Sequence, residues 1–338
     1  MDQVSLGRSG TMVSKLCLGT MMFGGRTDEA ETRRIIDSAA DTGVNFIDTA
    51  DVYNGGASEE LVGRAIASRR YDWVLATKAG NRLSELPNRG GLSRRWLIKA
   101  CEDSLRRLGT ESIDIYYLHL EDHGTPMEET VGALADLVRQ GKIHHIGLSN
   151  FRAWRLVEMA RLCDLAGIDR PLVCQPYYNA MNRMPEVEVL PACHHLGMAV
   201  VPYSPLARGI LTGKYGSGDL PDPESRAGQN DMRMMQTEWR SESFDIGAKI
   251  KNAREARGLT SIGFALGWLL NNRIVTAPIA GPRTFEQWQS YLKALDEPFT
   301  AEDEALLNEL VPAGHPSTPG YTDPRYPVEG RSARTTGG

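Results

Sequence analysis

Short apolar runs alternate along this chain with longer stretches in which apolar residues recur every third or fourth position. The runs 16–19, 45–48, 73–78, 112–119, 143–149, 172–177 and 199–203 read as strands. Between them, apolar spacing of helical period predicts helices over 28–42, 59–67, a segment capped by Ser93, 127–140, 153–167 and about 186–196. Ser58 takes the place of an N-cap for 59–67, with Glu59 and Glu60 in the first turn. Each strand-to-strand interval holds one helix, and strands apolar on both faces imply a parallel sheet.

Before this series, Val4-Ser5-Leu6, a glycine turn over 7–10 and Met12-Val13 predict a small hairpin that could plug the closed end of a barrel. After it, the rhythm breaks. From Ser204 to about Arg240 the chain is rich in Gly, Pro and charge, as an excursion over a rim would be. Helices over 244–257 and 261–271 follow, then strand eight at 275–279, a helix over 284–295 and an extra one over 301–310. Eight strands with eight helices predict a (β/α)8 TIM barrel, one domain over 1–311. The tail, 312–338, lacks periodicity; HPSTPGYTDPRYP carries rings enough to dock on a rim, and RSARTTGG is expected to be disordered.

The polar residues that stop these runs change the picture. Asp48, Lys78 and His119 each close an apolar run, and Tyr53 follows the first of them across a turn. In a parallel barrel those positions share one rim, where an acid, a phenol, an amine and an imidazole together suit proton transfer. Singly, each has a plain structural reading: a packing tyrosine, a lysine paired with a rim carboxylate, a satisfied core histidine. On successive strand ends the catalytic reading is stronger.

Composition narrows the classes. With 41% hydrophobic and 24% charged residues the chain reads as an ordinary globular protein. A net charge of −5, with no basic cluster interleaved with aromatics, argues against nucleic acid as the main partner. No apolar run of about 18 residues predicts a membrane span, and the N-terminus lacks the apolar core of a signal peptide. The five cysteines form no CxxC pair and read as reduced core residues of a cytoplasmic protein. His144-His145 and His194-His195 do not make a metal site, and no HExxH occurs, so no metal is assigned. The tryptophans, Trp154 among them, read as packing residues.

Several stretches together carry a resemblance: GTMMFGG (19–25), FIDTADVYNGG with SEELVG (46–63), ATKAG (76–80), SLRRLGTESIDIYYLH (104–119), GKIHHIGLSN (141–150), QPYYN (175–179), PYSPLARGILTGKY (202–215) and GPRTFEQ (281–287). Over residues 4–311 the chain resembles the aldo-keto reductase superfamily, nearest the branch that holds potassium-channel β-subunits and their bacterial relatives. The resemblance implies reduction of aldehyde or ketone carbonyls, small or sugar-derived, with NADPH. Tyr53 would be the general acid, Lys78 would lower the phenol's pKa from its usual value of about 10, Asp48 would hold Lys78, and His119 would orient the carbonyl.

The resemblance also assigns the cofactor, since no GxGxxG follows a strand. Ser149, Asn150 and Gln175 would bond the nicotinamide carboxamide, and Tyr203 would stack on its ring, with Gly19, Thr20, Met21 and Asp48 nearby. Backbone groups of Ser204, Pro205, Leu206, Ala207 and Gly209, with Lys214 and Arg226, would take the pyrophosphate. Gly281, Arg283 and Gln287 would meet the adenosine end, and a guanidinium beside a helix N-terminus favours the 2′-phosphate of NADPH over NADH. Tyr291 and the Gly281-Pro282 pair depart from the residues relatives carry there. Met22, Phe23, Val52 and Phe151 are expected to line the substrate pocket with Tyr53 and His119.

Competing readings are a nucleotide-binding, redox-sensing subunit with little turnover, a Schiff-base lyase using Lys78, and a cofactor-free isomerase. The resemblance leaves both a monomer and a homo-oligomer open.

Overall fold

The structure, a computed structural model, describes residues 1–216, 227–229 and 231–328. A hairpin, β1 (Gln3–Ser5) and β2 (Met12–Ser14), precedes an eight-stranded parallel sheet. The sheet runs β3 (Cys17–Gly19), β4 (Phe46–Asp48), β5 (Val74–Ala79), β6 (Ile113–Leu118), β7 (Ile143–Ser149), β8 (Val173–Gln175) and β9 (Ala199–Val200) in sequence order. β10 (Ile279–Ala280) pairs with β3, and Val275 bridges Val200. Thr276 N donates to Val200 O (2.8 Å) and Ile279 N to Pro202 O (2.9 Å), which closes the sheet into a (β/α)8 barrel.

The helices follow the same alternation. They are α1 (Glu29–Asp41), α2 (Ala57–Ile66), α3 (Arg94–Leu108), α4 (Met127–Arg139), α5 (Ala153–Ala166) and α6 (Val189–Leu196). After β9 come α7 (Met232–Thr237), α8 (Ser241–Glu255) and α9 (Ser261–Asn271), and after β10 come α10 (Phe285–Ala294) and α11 (Ala301–Leu310). Their starts obey local chemistry. Asp28, Ser93, Thr260 and Thr284 each accept a backbone N–H of the first turn, and Thr300 with Asp303 forms a capping box. Among the described residues no helix is long and apolar enough to cross a membrane.

Two apolar layers result. One lies between strands and helices; the other fills the barrel with Cys17, Phe46, Ala76, Ile115, Val173 and Val201. Leu6 and Val13 of the hairpin join the second layer, so the hairpin closes the end at which the strands begin. Gly7 makes that closure possible. At φ +53°, a Cβ there would sit 2.8 Å from Ala199 N.

Three expectations need correction. α2 starts at Ala57 behind Gly56, which is left-handed (φ 98°), so Ser58 is not its cap. The Ser58 hydroxyl is buried instead, donating to Thr20 O (2.9 Å) and bonded to Thr49 Oγ1 (2.9 Å). Strand eight narrows from 275–279 to Ile279–Ala280, because Pro278 has no N–H to give to a ladder. Trp154 is 59% exposed rather than packed, and borders a shallow surface hollow with His123 and Glu158.

The first part of the tail is docked. Arg183 N donates to His315 O (3.0 Å), Ser317 N to Met181 O (2.8 Å), and Arg233 forks onto Asp323 at 3.0 and 2.6 Å. The segment RSARTTGG lies outside the described residues, as does most of 217–230.

Candidate active site

β4 ends on Asp48, β5 carries Lys78 next to its end, His119 follows β6, and Tyr53 opens a tight turn over Tyr53–Gly56. Asn54 and Gly55 are left-handed in that turn (φ 51° and 66°). Asn54 Nδ2 pins it to the first loop by donating to Met21 O (3.0 Å) and Phe23 O (2.8 Å). The phenol is thereby aimed back over the rim. Lys78 Nζ donates to Asp48 Oδ1, to Thr49 O (2.8 Å) and to the Tyr53 hydroxyl oxygen (3.2 Å). The Tyr53 and His119 rings meet edge-on, with centroids 6.0 Å apart. Four residues from three separate stretches of sequence thus form one cluster at the ends of β4, β5 and β6.

Burial governs the protonation of the cluster. It raises the Asp48 carboxyl against the pull of Lys78. On Lys78, burial acts downward, but Asp48 and Tyr53 outweigh it and the ammonium is held above its usual range. Tyr53 is also raised: burial wins over Lys78, with Asp48 and Asp51 adding to it. The expectation of a lowered phenol pKa is therefore reversed in this state, and Tyr53 is a protonated phenol at neutral pH. His119 is pushed well below its ordinary value by burial, then by Lys78 and Arg325, so its imidazole is neutral. Its Nδ1 is buried and has no hydrogen-bond partner among the described residues.

These groups open into a cavity of about 590 Å³. Its wall takes in every described residue assigned above to the cofactor except Ala207. Ala207 is fully buried, and Arg226 lies outside the described residues. Ala207 N donates to Ser204 O (2.9 Å) and Gly209 N to Leu206 O (2.8 Å). Those two amides are taken by the turn. Met22, Val52, Tyr53 and His119 line the cavity, whereas Phe23 and Phe151 are buried behind it.

The groups expected around a carboxamide hold one another. Ser149 Oγ donates to Gln175 O (2.9 Å), Gln175 Nε2 to Asp48 Oδ2 (2.9 Å), and Asn150 Nδ2 to His119 O (2.9 Å). Tyr203 donates its hydroxyl to Asn150 Oδ1 (2.8 Å) and stacks on Tyr177 with centroids 5.5 Å apart. Its second face is the one left for a planar ring.

Arg26, Arg208, Lys214, Arg233, Arg283 and Arg325 line the cavity against a single carboxylate, Asp48. That balance suits a polyanionic ligand. Asn81, Arg208, Arg233, Arg325 and Tyr326 were not anticipated. The rings in HPSTPGYTDPRYP signalled docking, but nothing in the sequence said which rim position Arg325 would reach. Among the described residues no three His, Cys, Asp or Glu side chains gather as a metal site.

The sequence description of the "Aldo/keto reductase family" matches residues 15–312. Among curated relatives, an "uncharacterized oxidoreductase YrpG" of Bacillus subtilis is 38% identical over 94% of this chain and 98% of its own length. A "probable voltage-gated potassium channel subunit beta" of Arabidopsis thaliana is 34% identical over 88% of this chain and 92% of its own. An "L-glyceraldehyde 3-phosphate reductase" of Escherichia coli O157:H7 is 32% identical over 91% and 92% respectively. With nearly the whole barrel covered and the rim cluster in place, the chain belongs to the aldo/keto reductase family of oxidoreductases.

Proposed function

We propose that this protein reduces small aldehydes and ketones, sugar-derived ones included, to alcohols, using NADPH. The observation that carries the reading is the buried Asp48–Lys78 pair bonded to Tyr53 beside a neutral His119, opening on a cationic cavity. Tyr53 would give its proton to the carbonyl oxygen. Lys78, fixed by Asp48 and Thr49 O, would stabilise the phenolate left behind, and His119 would point a ring nitrogen at the same oxygen. When bound, reduced nicotinamide supplies the hydride that the carbonyl carbon receives.

The fit to a dinucleotide rests on the cavity itself. Ser149, Asn150 and Gln175 would meet the carboxamide and Tyr203 the ring. Lys214 and Arg208 would take the pyrophosphate, and Arg283 with Gln287 the adenosine end. Arg283 opens the segment before α10, whose N-cap is Thr284, a place suited to the 2′-phosphate of NADPH. A Schiff-base role for Lys78 would need a neutral amine, and Asp48 holds it charged.

The resemblance to a named channel subunit supports a second reading, nucleotide sensing with little turnover. Fluorescence titration of the purified protein with NADPH and NADH, followed by an aldehyde assay, separates the two. Tight NADPH binding, weakened about tenfold or more by Arg283→Ala, with turnover is the expected result. NADPH binding with no turnover of any carbonyl would favour sensing, and binding of neither nucleotide would sink both readings.

A further inference from the structure

The cations of the cavity fall on two sides of the barrel. Lys214 and Arg283 follow β9 and β10, the side assigned above to the nucleotide. Arg325 comes from the tail, which is tied by Pro327 O to Arg152, a residue that follows β7 and pairs with Glu121 after β6, so it borders the opposite side of the cavity that His119 also lines. No dinucleotide contact proposed above accounts for it.

The tail is fastened around this residue. Asp323 accepts the Arg233 fork and the Arg325 backbone N–H (2.9 Å). Tyr326 N donates to Asp323 O (2.9 Å), closing a turn, and Arg152 Nη2 donates to Pro327 O (3.0 Å). Tyr321 donates its hydroxyl to Gln236 O (3.1 Å) on the near side. So the segment 321–327 is held at several points across the mouth, and Arg325 and Tyr326 both line the cavity.

Three of the carboxylates nearby are already matched, and the fourth, Glu238, is fully buried with its Oε2 unpartnered among the described residues. Asp323 serves Arg233, Asp48 serves Lys78, and Glu121 accepts from Arg152 N and Nη1 (both 2.6 Å) with Arg155 Nε at 3.6 Å. Glu238 accepts from the Tyr177 hydroxyl. Arg208 donates to Thr237 Oγ1 (3.3 Å). The Arg325 guanidinium is exposed and carries no carboxylate partner among the described residues. A forked cation with no carboxylate partner among the described residues, on the tail segment that crosses the cavity mouth, is suited to a planar or tetrahedral oxyanion.

We infer that Arg325 forms an anion subsite, so that the preferred substrates are carbonyl compounds bearing a carboxylate or a phosphate a few atoms from the reacting carbon. This rests on the carbonyl-reductase reading and adds the substrate class to it. Tyr326 beside it would pack on the chain between the two groups. The docked tail is thus the specificity element of the site.

Two matched pairs of aldehydes test this: 4-oxobutanoate against butanal, and glyceraldehyde 3-phosphate against glyceraldehyde. The wild type should favour the anionic member of at least one pair in kcat/KM, mainly through KM. Arg325→Ala should reduce that preference by about 10- to 100-fold, the range one charge-assisted contact supplies, and Arg325→Lys should restore part of it. The pair that responds identifies carboxylate or phosphate as the group. A selectivity ratio equal in wild type and Arg325→Ala for both pairs would overturn the subsite while leaving the reductase reading intact. Calorimetric titration of succinate and glycerol 3-phosphate into the protein with saturating NADP+ gives a readout that needs no turnover. Tighter binding to wild type than to Arg325→Ala, with none of the four aldehydes reduced, would sink the reductase reading and keep the subsite. Equal binding would sink the subsite.

Discussion

Asp51 shows how strongly burial sets charge in this rim. It is 2% exposed, and neither carboxyl oxygen has a well-formed hydrogen bond among the described residues. Burial and the neighbouring Glu59 push it up to about 8, against Arg107, the Val52 backbone and Lys78. An ordinary unfolded Asp titrates near about 3.9. Folding therefore favours the protonated form, and this contribution is complete below about 4 and is lost as pH rises toward about 8. The expected consequence is that Asp51→Asn, which keeps the shape without the proton, gains on wild type by up to about 1.4 kcal/mol per pH unit across that window. Urea unfolding of both proteins at pH 5 and pH 8 measures it. A stability difference that does not change with pH would show that Asp51 is ionised in the fold. Residue-level legibility was uneven in the same way. Asp48, Lys78 and His119 stood out because each ends an apolar run, and Tyr53 because it follows the first across a turn, whereas the raised Tyr53 could not be read, since the balance of burial against Lys78 exists only in three dimensions.

At the level of elements, close approach is built on glycine. A Cβ on Gly63 in α2 would come within 2.3 Å of Leu108 O in α3. Gly132 in α4 has nothing nearer than an Arg94 side-chain nitrogen at 3.9 Å. Gly63→Ala should therefore cost about 1–3 kcal/mol as the two helices are forced apart. Gly132→Ala should gain up to roughly 1 kcal/mol from helix propensity. Thermal melting of the pair checks both signs, and equal shifts would contradict the packing account. The strands were readable as apolar runs because a sheet covered on both faces tolerates little polarity. Helix starts were readable where the cap is local, as at Ser93, and failed at Ser58, whose hydroxyl is claimed by Thr20 and Thr49 from other loops. Phe23 and Phe151 failed likewise: a rim loop's sequence does not say which of its apolar residues turn into the core.

Over the whole molecule, the barrel brings together groups that no local segment could. Lys78 reaches Asp48 and Tyr53 only because β4 and β5 lie side by side in register, with Asp48 opposite Ala76. The tail, which has no periodicity to read, returns across the mouth and is tied to α7 through Arg233 and Asp323. Scaffold and chemistry are thus separable. The strands and the turn after β4 fix where Tyr53, the proposed proton donor, stands, and the loops and tail border the cavity in front of it. The most direct test of this account is NADPH oxidation by an aldehyde, compared between wild type and Tyr53→Phe, with NADPH affinity measured on both. The phenyl ring keeps the packing and loses only the hydroxyl, so turnover should fall by about 100-fold or more while NADPH binds nearly as before. Turnover close to wild type would show that the proton comes from elsewhere and would contradict the central claim.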